Sequence, residues 1–257
     1  MGPEIGFEQV SRRFGAVSAV AGVDLTIAAG SFVALVGESG SGKSTLLRAI
    51  NRLDEGAVRE GQVTLDGFDN TVVRLTELRR RIGYVFQSIG LFPHMNVTAN
   101  IAIGRRVRGE TLTDPDVAAL LDQVGLPAEF ARRMPRELSG GQAQRIGIAR
   151  ALAIDPEILL LDEPFAALDP VTRDSLGKTV RALHEAKGLT TILVTHDMAE
   201  AMLLADRVIV LAAGRIVADA SPADLASGRG GAEAEALVAV PREQARRIAE
   251  LSAKADK

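Results

Sequence analysis

Along the chain the hydrophobic residues fall into short runs divided by glycines and polar turns. In the opening third, Ile5–Val10 and Val23–Ile27 alternate or are rich in β-branched residues, and Phe32-Val33-Ala34-Leu35-Val36 is an unbroken apolar run between Gly30 and Gly37. A run of that kind predicts a strand buried on both faces. A helix is expected from Lys43 to about Leu53, with further strands at Gln62–Leu65 and Ile82–Phe86 and a turn at Asp66-Gly67.

From about Gln87 to Ala153 the pattern becomes helical and more polar, punctuated by Pro93, Pro115, Pro127 and Pro135. Buried-type strands then return at Ile158–Leu161, Thr191–Thr195 and Arg207–Leu211, the last turning through Ala213-Gly214 into Ile216–Ala218. Pro170–Lys187 between them predicts a helix. Strands alternating with helices indicate an α/β fold on a parallel sheet, and the helical stretch, about residues 88–153, reads as an inserted subdomain. Beyond residue 220 the composition shifts to Ala, Gly, Arg and Glu, and a short helical tail over 221–257 is expected. Its last helix would open at Pro241, with Ala245, Ile248 and Ala249 as a thin apolar stripe.

Composition narrows the choice of function. With 257 residues, 47% of them hydrophobic, the chain can bury one substantial core. The absence of cysteine excludes disulfides, thiolate metal sites and a cysteine nucleophile. A net charge of −3 argues against a nucleic-acid groove as the main business. No stretch approaches the roughly 20 apolar residues of a membrane span, and Met1–Val10 lacks a basic-then-apolar leader. Any membrane role is therefore expected to pass through a partner.

Three segments carry chemistry. Gly37-Glu38-Ser39-Gly40-Ser41-Gly42-Lys43-Ser44 has the spacing of a phosphate-binding loop and stands between a buried strand and a helix. Its glycines let backbone N–H groups face phosphate oxygens, and the helix aims its positive end at the same place. Lys43 would meet the β- and γ-phosphates, Ser44 would ligate Mg²⁺, and Thr45 would add a contact to the α-phosphate. Asp162-Glu163 ends the apolar run Ile158–Leu161, where two carboxylates need a positive partner. Asp162 is expected to hold Mg²⁺ and Glu163 to polarise the attacking water. Leu138-Ser139-Gly140-Gly141-Gln142 starts a helix with a good N-cap, Ser139, and two glycines that expose backbone N–H groups to an anion.

With these motifs in this order, the chain from Ile5 to Asp219 resembles the ATP-binding cassette family. The resemblance implies a P-loop NTPase fold: a RecA-like parallel-sheet core, an antiparallel β subdomain and an inserted helical subdomain, with residues 1–220 forming the cassette. It implies that Gln87 is a Mg²⁺ ligand and a link to the transport subunit. It places Asp169 at a dimer seam, gives His196 the role of a switch touching the γ-phosphate, and has Phe14 stack on adenine. The family more often has Tyr at that last position; Phe14 keeps the π-face. The resemblance further implies that Ser139, Gly140, Gly141 and Gln142 of one chain close over ATP held by the phosphate loop of another, so that two chains form two composite sites.

Within that family the chain is most similar to bacterial importer cassettes for osmoprotectants such as glycine betaine, choline and proline-type solutes. The residues that carry the likeness are Ile50-Asn51-Arg52-Leu53, Leu78–Tyr84 and Ser88-Ile89-Gly90-Leu91-Phe92-Pro93-His94-Met95. Expected partners are a second cassette, transmembrane permease subunits and a periplasmic solute-binding protein, at the cytoplasmic face of the inner membrane. Leu91, Phe92 and Met95 are expected to line the groove that receives the permease. An amino-acid importer cassette shares much of this pattern, and a soluble ATPase of the same family is the remaining alternative. Some osmoprotectant cassettes carry a regulatory extension, for which a chain ending at Lys257 leaves no room.

Overall fold

The computed structural model describes residues 1–232, 235–239, 243, 246 and 247. The chain opens with β1 (Ile5–Phe14), β2 (Val17–Ile27), β3 (Phe32–Val36), α1 (Lys43–Ile50), β4 (Val58–Leu65) and β5 (Phe68–Asp69). Then come α2 (Leu75–Arg80), β6 (Ile82–Val85), α3 (Val97–Val107), α4 (Asp114–Gln123), two short 3-10 turns and α5 (Gly140–Leu152). The remainder is β7 (Ile158–Asp162), α6 (Pro170–Lys187), β8 (Thr190–Thr195), α7 (Met198–Leu204), β9 (Arg207–Ala212), β10 (Arg215–Ala220) and α8 (Pro222–Ala226).

Two sheets result. β2-β1-β4-β5 is antiparallel, and β10-β9-β3-β8-β7-β6 is parallel apart from its edge strand β10. The parallel strands carry apolar residues at successive positions because each face builds a separate core. Phe32, Ala34 and Val36 of β3, with Leu159 and Leu161 of β7, pack against the helices α3 to α7. The intervening Val33, Leu35, Ile158 and Leu160 pack against α1 and the antiparallel sheet. Successive side chains of a strand point to opposite faces, so one continuous apolar run can serve both layers.

Register brings the functional loops together. Val36 pairs with Thr195, Asp162 with Val194, and Val85 with Leu161. The carboxyl ends of β3, β6, β7 and β8 therefore align, and the loops that leave them emerge side by side, where an open α/β sheet binds its ligand.

Several expectations are revised. The first strands run longer than the alternation indicated, because register shifts lie between Phe7 and Val10 and between Glu8 and Ser11. Each bulge resets the in–out phase, which hides the strand from a period-2 reading. α1 stops at Ile50 rather than near Leu53, since Arg52 adopts a left-handed φ of 55° and Leu53 N bonds back to Arg48 O. The short helices α2 and α7 were not expected, while α8 falls within the stretch read as a helical tail. α8 supports a tail whose Val238 is buried in the helix-side core. The final-helix residues Pro241, Ala245, Ile248 and Ala249 lie outside the described residues.

A buried ion cluster ties the first hairpin to the chain leaving α1. Arg12, 5% exposed, pairs through Nε with Asp54, and its Nη1 donates to the carbonyls of Ser11 and Glu60. Arg59 reaches the other Asp54 oxygen at 2.9 Å. Breaking a buried pair strands its partner, so Asp54→Ala should destabilise the fold by about 3–5 kcal/mol. Urea unfolding checks it; a loss below about 1 kcal/mol would show that water replaces the carboxylate.

Candidate functional site

The loop between β3 and α1 wraps around its own lysine. Lys43 is 4% exposed, and its Nζ donates to the carbonyls of Gly37 and Glu38 at 2.7 Å each and to Ser41 Oγ at 3.4 Å. Burial pushes the Lys43 pKa down, while the carboxylates of Glu163 and Asp162 oppose that shift. Two loop glycines are demanded by packing as well as by backbone angle. A Cβ on Gly37 (φ 150°) would sit 2.1 Å from the Leu211 carbonyl oxygen, and one on Gly42 (φ 104°) 2.3 Å from that of Ala19. Strand β2 and the end of β9 thus brace the loop from outside.

The start of α1 has no cap of its own. Its N-cap is Gly42, no side chain accepts from its first turn, and no acidic residue lies there. By contrast α3, α4, α5, α6, α7 and α8 are capped by Asn96, Thr113, Ser139, Asp169, Asp197 and Ser221. A helix start that leaves its N–H groups without acceptors and carries a buried cation suits an anionic ligand.

At the tip of β7, Asp162 is 1% exposed and held on both oxygens. Ser44 Oγ donates to Oδ1 at 2.6 Å; Arg48 Nη2 at 3.1 Å and Tyr84 Oη at 2.8 Å donate to Oδ2. Burial, with the Asp162 charge adding to it, pushes the Tyr84 hydroxyl pKa up, so it remains a donor. Glu163 follows in a left-handed conformation, φ 47°, with its N–H bonded to Val194 O. Its Oε2 accepts from Gln87 Nε2 at 3.1 Å and lies 3.6 Å from His196 Nδ1.

His196 shares a separate small recess with Glu163, and Asp162 is reached through its bond to Ser44, whereas Lys43, Ser44, Gln87 and Glu163 line, with Ser39, Gly40, Gly42, Thr45, Val17, Ser18 and Ala19, one cleft of about 420 Å³. Phe14 does not line it. That residue is 38% exposed at the hairpin tip, paired in register with Val17. Residues 138–142 do not line it either. Ser139 and Gly140 are exposed, and a Cβ on Gly140 would touch nothing within 4 Å. Ser139 N donates to Gln142 Oε1 at 3.0 Å and Gln142 N to Ser139 Oγ at 3.3 Å, a reciprocal cap. Asp169 lies apart as well and accepts from Val171 N and Thr172 N, so it already serves as the cap of α6.

Sequence reasoning missed Arg48, Tyr84 and the Val17–Ala19 wall. The signal for Arg48 was present, since it lies four residues after Ser44 on one helix face. Tyr84 pairs with Leu160, two residues before Asp162, and so shares its side of the sheet. Of Leu91, Phe92 and Met95, only Phe92 lines the large surface groove near the loop after β6, a space of about 680 Å³ with Phe86, Ile103, Val107 and Ile154. Leu91 instead packs on the helix-side core.

The donor set fits ATP with Mg²⁺. Among the described residues no cluster of three His, Cys, Asp or Glu could cage a metal. Mg²⁺ commonly takes one or two protein ligands beside substrate phosphates and water, which is what Ser44, Asp162 and Gln87 offer.

Comparison with known proteins bears on these contacts. A family model described as "ABC transporter" matches residues 20–166. The chain is 45% identical over 220 residues to the glycine betaine uptake system ATP-binding protein YehX of Escherichia coli K12, covering 85% of this chain and 71% of that one. It is 48% identical over 218 residues to the sulfate/thiosulfate import ATP-binding protein CysA of Methylococcus capsulatus, covering 82% of this chain and 61% of that longer relative. Among solved structures, the dimeric post-hydrolysis state of the ATP-binding cassette MJ0796 bound to ADP and Pi superposes with a TM-score of 0.77 at 34% identity, covering 85% of this chain and 98% of that one.

Proposed function

Given that this chain belongs to the ABC transporter family as an ATP-hydrolysing, importer-type cassette, we propose that it powers uptake of a quaternary-amine osmoprotectant of the betaine or choline kind. The observation that carries the ATPase assignment is the uncapped start of α1 facing Glu163 across one cleft. Lys43 and the first-turn amides of α1 hold the phosphates. Ser44, Asp162 and Gln87 would hold Mg²⁺, which would supply charge neutralisation on the phosphate oxygens. Glu163 accepts the proton of the attacking water, and His196 stands beside the same carboxylate to meet the γ-phosphate. Val17 in the cleft wall, with Phe14 paired to it across the hairpin, offers an apolar rim for the base.

Two chains complete the cycle. Since residues 139–142 lie outside the Lys43 cleft, with Ser139 and Gly140 exposed, they serve the nucleotide of a second chain, and hydrolysis releases that grip. Dimeric assembly of MJ0796 supports the reading. No described helix is long and apolar enough to cross a membrane, so transport is assigned to separate permease subunits. The apolar groove holding Phe92 and Phe86 is the docking place proposed for them.

Support for the solute comes from the three sequence runs named above and from the betaine-uptake relative. The sulfate/thiosulfate relative, at comparable identity, makes an oxyanion importer the second reading. The test is uptake of labelled glycine betaine, choline, proline and sulfate at high salt in cells lacking the gene. Loss of betaine or choline uptake supports the first reading, and loss of sulfate uptake alone replaces it by the second.

A companion variant separates coupling from catalysis. Buried Asn100 holds the loop that carries Phe92: Oδ1 accepts from Phe92 N at 2.7 Å, and Nδ2 donates to Met95 O at 2.9 Å. Because the backbone is set by Asn100, Phe92→Asp should abolish uptake in cells and leave ATPase activity of the isolated chain near normal. Uptake that survives the charge would remove Phe92 from the docking surface.

A further inference from the structure

His196 is flanked by Thr195 and Asp197, and neither is free. Thr195 Oγ1 donates to Glu200 Oε2 at 2.7 Å and accepts from Asp197 N at 3.0 Å. Asp197 Oδ1 caps α7 by accepting from Ala199 N and Glu200 N. One side chain from another element grips both carboxylates. Arg173, on the first turns of α6, donates through Nη1 to Asp197 Oδ2 at 3.1 Å, and its Nε lies 3.4 Å from Glu200 Oε1. Its Nη2 donates to the Leu168 carbonyl at 3.2 Å, the residue just before Asp169. The guanidinium thus spans from the Leu168-Asp169 segment to the turn that carries His196. Around it is a small polar recess lined by Glu163, Ala166, Arg173, Thr195, His196 and Glu200.

His196 itself is weakly anchored. Its side chain is 59% exposed, and among the described residues its one ion-pair contact is Glu163 Oε2 at 3.6 Å. Its position is therefore set by its neighbours. Burial, with the Asp197 charge adding to it, raises the Glu200 carboxyl above its usual range despite the Thr195 bond. Two such carboxylates stay side by side because a cation bridges them. Lysine cannot substitute here, since one ammonium lacks the fork that donates to the Asp197 carboxylate and the Leu168 carbonyl together.

We propose that Arg173 is a positioning residue for ATP hydrolysis: it locks the start of α6 to the Thr195-His196-Asp197 turn, so that His196 meets the Glu163 site only when the Leu168-Asp169 segment is in place. This rests on the ATPase reading of Glu163 and His196. It goes further by giving the exposed Asp169 segment, where a second chain is expected to dock, a hydrogen-bonded route to the reacting centre within one chain. Docking that orders Leu168-Asp169 would then be read out as turnover.

The test uses the purified chain with Mg-ATP and compares Arg173→Met, Asp197→Asn and their combination. Asn keeps the α7 cap and removes the ion pair. Misplacement of a group by about 1 Å costs up to roughly 100-fold. Arg173→Met is therefore expected to lower kcat about 10- to 100-fold with KM and ATP affinity within about twofold of wild type. Because both side chains belong to one linkage, the double variant should be no slower than Arg173→Met alone. If Arg173→Met fails to fold, Arg173→Lys carries the same comparison, with the same direction expected. Turnover within about twofold of wild type, a KM that rises in step with the loss, or losses that multiply in the double variant would each overturn the proposal. A wild-type chain that does not hydrolyse ATP, or a Glu163→Gln variant as fast as wild type, would instead overturn the ATPase reading beneath it.

Discussion

Glu163→Gln is expected to lower ATP turnover about 10²–10⁴-fold, the range of a lost general base, while ATP still binds. Glutamine keeps the shape and the contact to Gln87 and removes the proton acceptor. The phosphate-binding parts are untouched: Lys43 keeps its bonds to the Gly37 and Glu38 carbonyls, and Ser44 keeps Asp162. Binding and chemistry therefore separate in this variant. If ATP joins two chains and hydrolysis parts them, the mutant should accumulate as an ATP-dependent dimer, visible as a doubled mass in solution. Normal turnover would take Glu163 out of the role, and slow turnover by a species that stays monomeric would sink the composite-site model.

The second large effect is expected at the signature segment. Gly140→Asp should cut hydrolysis by about 10²–10³-fold, the scale of losing preorganised donors at a developing charge, with nucleotide binding to the single chain preserved. The position is chosen on geometry. A Cβ at Gly141 would lie 2.8 Å from Thr172 Cγ2, so a side chain there disturbs α6 within its own chain. At Gly140 nothing lies within 4 Å, and an acidic residue in a first helical turn favours the helix. The new carboxylate therefore acts on whatever docks there, and a γ-phosphate would be repelled. Mixing Gly140→Asp with Lys43→Ala chains gives dimers that hold one intact composite site. Activity that reappears on mixing requires two chains per site; full activity of Gly140→Asp alone would rule the arrangement out.

The chemistry was legible in the linear order because its residues are contiguous. A phosphate loop must run strand, glycine turn, helix, and a metal-binding carboxylate must end a buried strand, so Lys43, Ser44, Asp162 and Glu163 announce themselves by what flanks them. The parallel sheet was legible for a similar reason: β3, β7 and β8 face apolar cores on both sides and carry no polar alternation. The bulged strands were less so, since an extra residue in β1 or β4 shifts the phase that a periodic reading depends on.

What the sequence alone determined, then, is the family, the parallel sheet and the residues that handle phosphate. The tertiary structure decided how they meet. Register between β3, β6, β7 and β8 puts Gln87, Glu163 and His196 within reach of one another, although 76 residues separate the first two. It also decided that Arg48 and Tyr84 secure Asp162, that Phe92 rather than Leu91 lines the groove, and that residues 139–142 stand apart from the Lys43 cleft. Apart from the Ser44–Arg48 spacing, none of these is written in a local pattern of the chain. A motif is a local constraint on backbone shape and residue type, whereas a partner across the sheet is selected by strand order and packing, which depend on every burial along the chain at once.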